Sequence, residues 1–406
     1  MAARKYRPGV RATAMAAFTT VIAVLPVFLV GGLAVQLEED LGMTATVLGA
    51  AVAVYWAVSA LLSTTGGYAA QRLGARKGML LSTAFGLASL LGIALATPHW
   101  AWLFLWLTIG GAANALSHPL SNGLIVREVA TRNRAFAFGL KQAAIPAATF
   151  IAGVSVPILA LTVGWKWTFA AAAAFAVVLL PALARTVPER QRTEASKTHT
   201  DLAKAPLPRR LKSFLIATAI AAGMGSAQAN ALGAFTVISA SNAGFDIATA
   251  GLLLGLGSAA GCLARPLVGI AADRGIGGSM ATVALMLAVG CAGLLAMAWG
   301  NSIAFAIGCV LAFGFGWGWN GLVHYVVSHR SHPFTARATG ITQSGTYIGG
   351  TVGPFGFGFA YAAFGPTAAW TMAASVAAMG ALAALVAYRL EKSLAREQLR
   401  VAGEPA

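Results

Sequence analysis

The sequence predicts an all-α membrane protein of twelve transmembrane helices in two pseudo-symmetric six-helix bundles. Three observations carry that prediction. Of 406 residues, 58% are hydrophobic and only 10% charged, where soluble domains carry about 25% charged residues. Twelve apolar stretches reach the length of about 20 residues that spans a bilayer. Two short landmarks also recur at nearly one offset in matching places, so the second half of the chain repeats the first.

The stretches run over 12–36, 45–70, 78–97, 101–126, 135–162, 167–184, 213–238, 247–272, 279–299, 302–327, 337–361 and 367–388. Their connections alternate in charge. One side holds Arg4, Lys5, Arg7 and Arg11, then Arg72, Arg76 and Lys77, then Arg127, Arg132 and Arg134. It continues through the 185–212 stretch, then Arg274, Arg330, Arg337 and the basic C-terminal tail. The other side holds Glu38, Glu39, Asp40 and Asp246, with Lys166 as its base. Cytoplasmic loops carry the excess of Lys and Arg. A multi-pass protein of the cytoplasmic (plasma) membrane with both termini cytoplasmic is therefore expected. The net charge of +16 reports topology and contact with anionic lipid, not nucleic-acid binding.

The N-terminal apolar run exceeds a signal-peptide core and no small-x-small cleavage site follows, so it reads as a retained first helix. Cys262, Cys291 and Cys309 all fall inside apolar stretches, which leaves no disulfide framework and no metal-ligand spacing. No cofactor and no metal are expected, and the chain reads as a monomer.

The 185–212 stretch is the one long polar interruption, with eight basic and three acidic residues and Pro188, Pro206 and Pro208. It divides an N-terminal six-helix bundle (1–184) from a C-terminal one (213–406) that ends in a short cytoplasmic tail. The stretch itself reads as a cytoplasmic linker, with a surface helix near 202–211. The repeat supports that division. Gly67-Tyr-Ala-Ala-Gln71-Arg72-Leu-Gly74-Ala-Arg76-Lys77 is answered 202 positions later by Gly269-Ile-Ala-Ala-Asp273-Arg274. Gly139-Leu-Lys-Gln142 is answered 201 positions later by Gly340-Ile-Thr-Gln343. Parallel halves of this kind are related by an axis along the membrane normal, with a substrate site between them.

With these motifs the chain resembles the major facilitator superfamily over its whole length. The 67–77 segment matches the superfamily's loop signature between helices 2 and 3, with Gln71 where an aspartate is usual. The resemblance implies gating roles for Gly67, Gln71, Arg72, Gly74, Arg76 and Lys77, and for Gly269, Asp273 and Arg274 in the second copy. The segment Gly139-Leu-Lys141-Gln142-Ala-Ala-Ile-Pro146 is similar to bacterial members near the cyanate-type transporters. Drug–proton antiporters carry a Gly-Pro-x-x-Gly-Gly signature in helix 5 and an arginine in helix 4. This chain has Ile145-Pro146-Ala-Ala-Thr149 and Trp106 at those places.

All twelve acidic residues fall at segment ends or in connections, and Lys141 is the one lysine inside an apolar stretch. Ionisable groups in hydrocarbon are costly and mark function by default. Lys141 lies roughly 10 Å along its helix from Arg134 at the helical rise, near the limit of snorkelling. It therefore either snorkels or, facing a cavity, binds an anion or titrates. Asn114, His118 and Asn122 form a polar stripe at four-residue spacing, for interhelical hydrogen bonding or a proton relay. Arg265, roughly 12 Å before Asp273 by the same rise, reads as a gate brace or a substrate contact. Trp317, Asn320 and His324 share one helical face, for packing or for a flat ligand. Gln142, Gln228 and Gln343 complete the candidate donors; Asn230 and Tyr347 lie on the same helices. Pro26, Gly349-Gly350 and Gly353-Pro354 are expected bending points.

The reading is a secondary transporter working by alternating access on a small, anionic solute. Lys141 supplies the charge, and Asn114, His118, Asn320, Trp317, Gln142, Gln228 and Gln343 orient the solute. His118 and His324 are candidates for a proton relay; proton coupling could otherwise use Lys141 or a proton carried on the substrate, and uniport or anion exchange are the alternatives to it. No ATP-binding fingerprint is present, so a gradient must drive transport. Alternatives are an exporter of drugs or metabolites and a non-transporting sensor on the same fold. No catalytic constellation suggests an enzyme.

Overall fold

A computed structural model describes residues 7–130, 133–189, 206–332 and 334–402; the side chain of Gln71 lies outside what it describes. All regular structure among these residues is helical. We number the helices α1 (Arg7–Gly32), α2 (Ala34–Leu41), α3 (Ala45–Leu61), α4 (Ser63–Leu95), α5 (Ala101–Glu128) and α6 (Arg134–Ser155). After a π-turn at Val156–Ala160 come α7 (Leu161–Val163) and α8 (Trp165–Thr186). The second half has α9 (Arg209–Asn242), α10 (Ile247–Asp273), α11 (Met280–Ala298) and α12 (Ser302–Leu311). A π-turn at Ala312–Gly316 leads to α13 (Asn320–Arg330), and α14 (Thr335–Ala402) closes the chain.

Nine helices among the described residues are long and apolar enough to cross a membrane, or ten if the α2–α3 pair, bent by 117°, counts as one span. The expected twelve stretches are all helical, and three features account for the difference. The 61-residue run in α14 holds two of them, separated at Gly365, where φ is +83° and ψ 175°. Only glycine adopts that backbone readily. Gly74 (φ +73°, ψ 173°) divides α4 in the same way, so the 45–70 stretch is shared between α3 and the start of α4. The third, α5, carries Asn114, Ser117 and His118 at its centre, which lowers its apolarity. Three helix N-termini are capped by side chains: Thr44 accepts from the amide of Val47, Asp246 from Thr249 and Asn301 from Ile303, as N-cap side chains do.

Lipid gives helices no hydrophobic reason to associate, so close packing of small residues and interhelical hydrogen bonds must hold them. Ser59 donates to the Gly111 carbonyl (3.1 Å), Ser82 to Ala113 (2.8 Å) and Tyr55 to Ala23 (2.8 Å). Glycines let backbones touch across the two halves of the chain. A Cβ on Gly31 would lie 2.7 Å from Cα of Ala234, one on Gly49 2.3 Å from the Pro354 oxygen, and one on Gly153 2.5 Å from the Gly255 nitrogen. These contacts all fall toward the end that bears Glu38, Glu39, Asp40 and Asp246. Toward the basic end, a Cβ on Gly123, Gly139, Gly321 or Gly340 would meet nothing within 4 Å. The three close approaches between the halves at Gly31, Gly49 and Gly153 thus lie toward the acidic end.

Pro26 lies inside α1, and the Gly349–Pro354 run keeps helical backbone within α14, where Gly365 is the non-helical residue. Gly349 and Gly353 also serve close approach, since a Cβ would fall 1.8 Å from the Gly223 oxygen and 2.3 Å from the Ala227 oxygen. Of the surface helix expected near 202–211, residues 206–208 are not helical and Arg209 begins α9; residues 190–205 of the expected linker lie outside the described residues.

Candidate substrate site

Lys141 projects from the middle of α6 and is 1% exposed. It does not snorkel. Its ammonium lies 2.7 Å from Nδ1 of His118 on α5, so two residues from separate predicted roles meet in one contact. Neither Lys141 nor Arg265 forms an ion pair with an acidic side chain among the described residues. A buried charge without a counter-charge is expensive, so the cost must be met by dipoles or by something that arrives. Arg265, 4% exposed on α10, meets it partly with dipoles. Its guanidinium donates to the Gln142 carbonyl and to the Trp317 carbonyl (3.2 Å), leaving Nε without a partner. Its Cζ stands 5.9 Å from the centre of the Trp317 ring, a cation–π distance.

The arrangement joins both halves of the chain. Arg265 clasps the backbone of α6 next to Lys141, and Cys262 one turn before it donates to the Ala143 carbonyl (3.7 Å). His324 on α13 lies within electrostatic reach of His118, Lys141 and Arg265. Four basic side chains thus face one region. An offset of 202 puts Asn320 opposite His118 and His324 opposite Asn122 in the repeat, while an offset of 201 puts Thr342 opposite Lys141. The halves share the scaffold, and the lysine is present in one of them alone.

The other predicted residues divide into those turned to packing and those left available. Asn114 is buried and donates to Ser59 (3.1 Å), so it ties α5 to α3, though its Oδ1 has no partner. Gln228 donates to the carbonyls of Gly225 (3.0 Å) and Gly316, bracing the π-turn, with Oε1 unpartnered. Trp317 is packed between Phe28 and Phe313, both with ring centres at 5.6 Å. Gln142 and Gln343 are partly exposed, Gln142 with an unpartnered Oε1. Asn320 is half-buried.

Sequence reasoning overlooked Trp56. Its indole N–H is buried without a partner, its ring lies 6.4 Å from that of Tyr347, and Gly350 and Asn230 adjoin it. Asn230 has an unpartnered Oδ1. An unpartnered donor on Trp56 and an unpartnered acceptor on Asn230, residues that both border Gly350, are suited to polar groups of a solute, because buried polar atoms are normally satisfied. Nothing in the local sequence around Trp56 distinguishes it from a packing tryptophan.

The loop motifs stand at the basic end. Arg76 donates to the Val187 carbonyl (2.7 Å) and pairs with Glu189 (3.5 Å). Arg72, Arg76, Lys77 and Glu189 line a pocket of about 430 Å³. Gly67, half-exposed, contacts nothing at its Cβ position, and neither does Gly269. Asp273 and Arg274 are exposed, with no ion pair to either among the described residues. Neither Asp273 nor Arg274 bridges the halves through an ion pair among the described residues. A second network does exist, around Glu391, which is 2% exposed. It accepts from the Met280 amide (3.0 Å) and pairs with Arg330 (3.3 Å). Glu391 follows Glu189 by 202 positions, so the repeat offset was the signal that could have found it.

A bundle of apolar helices, repeated loop motifs and a buried basic site define a membrane transporter scaffold rather than an enzyme. Comparison with known proteins agrees. The profile of the Major Facilitator Superfamily matches residues 16–336, and the chain belongs to that superfamily. The crystal structure of a D-xylose–proton symporter superposes with a TM-score of 0.74 over 92% of this chain and 97% of that one, at 17% identity, a likeness of fold. An uncharacterized 38 kDa protein in the 23S RNA operon of Thermoproteus tenax is 36% identical over 137 residues, which span 33% of this chain and 35% of that protein. The protein is a multi-pass membrane protein of a secondary-transporter family.

Proposed function

We propose that this protein moves a small anionic solute across the cytoplasmic membrane by alternating access, with Lys141 as the charge partner. The reading rests on one observation above the rest: Lys141 and Arg265 are buried in the middle of the bundle and neither is paired with an acid among the described residues. A visiting anion offsets that cost. The unpartnered polar atoms of Trp56, Asn230, Gln142 and Gln228 supply contacts for the rest of the solute. The resemblance of the 139–146 segment to the cyanate-type group favours a compact anion. Two six-helix units, 1–184 and 213–406, rock about this site, and both termini are cytoplasmic. The contact at the acidic end then makes this the inward-facing arrangement. The chain works as a monomer.

A second reading, export of drugs or metabolites, draws on the aromatic surface of Phe28, Trp56, Trp317 and Tyr347. A thermal-shift screen of the purified protein separates the two, since a ligand of the native state raises apparent stability by mass action. Stabilisation by acetate, nitrate or cyanate and not by cationic drugs supports the anion reading. The reverse pattern supports the exporter.

A further inference from the structure

We propose that the Lys141–His118 pair is a proton site, and that each anion binds together with one proton taken up by that pair. The proposal rests on the anion reading above and adds its coupling. It begins with a count of hydrogens. Nζ of Lys141 and Nδ1 of His118 are 2.7 Å apart, a hydrogen-bond distance that needs one hydrogen between the two nitrogens. An ammonium is a donor only, and a ring nitrogen accepts only while it carries no hydrogen. Lysine is the stronger base, so the contact is an ammonium donating to a neutral imidazole whose hydrogen is on Nε2. The pair therefore holds one proton fewer than its two bases can carry. A second proton sets N–H against N–H and two positive charges in contact, and the bond breaks.

The surroundings supply no acid to ease that step. His324 and Arg265 lie within electrostatic reach. From α10, Cys262 is engaged with Ala143; from α3, the Tyr55 hydroxyl is engaged with Ala23. Helix α1, which packs on both α5 and α6, has no ionisable side chain between positions 12 and 37. The charges facing the pair are all positive, so a second proton is unfavourable until an anion arrives. The anion, in turn, is held better once Lys141 is released from His118. In the coupled step a hydronium ion at the basic end gives its proton to Nδ1 of His118, leaving water, and Nζ of Lys141 turns to the anion. The pair passes from one positive charge to two, and a monoanion restores the original net charge. Release of the anion reverses each transfer.

His118 is placed to receive that proton. It is half-buried where Lys141 is 1% exposed, and Asn122, one turn nearer the basic end of α5, is exposed. The pair thus does the work that an intramembrane carboxylate would do, and this chain has no carboxylate in its apolar stretches.

The test uses the full-length protein in lipid nanodiscs with ¹⁵N-labelled histidine rings. Six histidines are present, and His118→Gln assigns the signal of interest. Acetate, nitrate and cyanate at saturation are the probes, with proton uptake read by an indicator dye in weak buffer. The expected result is a neutral His118 ring with a hydrogen-free Nδ1 before any probe, becoming imidazolium as about one proton per chain is taken up. Proton uptake should vanish in His118→Gln at probe concentrations that saturate it, whatever its affinity. A His118 imidazolium before the probe overturns the proposal, as does uptake that survives in His118→Gln. A probe that stabilises the wild type through Lys141 without proton uptake removes the coupling and leaves the anion reading. The absence of stabilisation by any of the three probes removes both.

Discussion

Gly49 of α3 lies against Pro354 of α14 so closely that a Cβ on it would stand 2.3 Å from the Pro354 carbonyl oxygen. Backbone cannot yield as a flexible side chain can. Gly49→Val should therefore force the acidic end apart, at the cost of about 1–3 kcal/mol typical of overpacking, and should slow transport by trapping the protein outward-facing. Gly123→Ala, where the new Cβ meets nothing within 4 Å, should be neutral or stabilising by about 0.5–1 kcal/mol. Thermal midpoints and transport rates of the two variants check the contrast. Equal behaviour would mean that the seam is not a gate.

Glu391 and Glu189 occupy equivalent places in the repeat, but the first is 2% exposed and the side chain of the second 67% exposed. Glu391→Ala leaves the buried Met280 amide without its acceptor and removes the ion pair to Arg330, and should destabilise by about 1–3 kcal/mol. Glu189→Ala removes a screened surface pair and should cost under about 1 kcal/mol. Melting curves in one detergent decide it; a larger loss at Glu189 would contradict the assignment.

Asp273 is exposed and without an ion pair among the described residues, so its charge contributes to another conformation or to none. Asp273→Asn should leave the thermal midpoint unchanged and slow transport more than Gln71→Ala does, because Gln71 has no charge to lose. Equal transport rates in the two variants would remove any role for charge at Asp273.

Orientation is open to direct labelling. Thr44→Cys, in the connection between α2 and α3, should react with an impermeant thiol reagent added outside intact cells. Thr198→Cys should be protected until the membrane is opened. Labelling of position 198 from outside would invert the topology.

The span pattern was legible because lipid imposes length and apolarity on each segment separately, and a repeat at offsets of 201 and 202 needs no structure to be seen. Lys141 stood out for a similar reason, as a charge where charge is rare. What lay beyond reach were relationships between segments. The contact of Lys141 with His118 joins positions 23 apart on different helices, and the sequence left each with two readings. Gly353 reads as a bending point beside Pro354, and nothing in the sequence signals that the neighbouring Ala227 backbone also demands a glycine there. Trp56 and Glu391 went unremarked because one resembles a packing aromatic and the other a solvated acid near the tail; only burial reveals them.

The central claim is that Lys141 holds the transported anion. Equilibrium affinity for the most stabilising anion of the screen should be measured in wild type, Lys141→Ala, Lys141→Arg and Lys141→Glu, each shown to be monodisperse. Loss of a charge-assisted contact of about 1.5–3 kcal/mol predicts a ten- to hundredfold weaker affinity for Lys141→Ala. Lys141→Arg should retain part of it, because a planar guanidinium does not replace a compact ammonium freely. Lys141→Glu should show no binding while remaining folded. Unchanged affinity in Lys141→Ala would contradict the account.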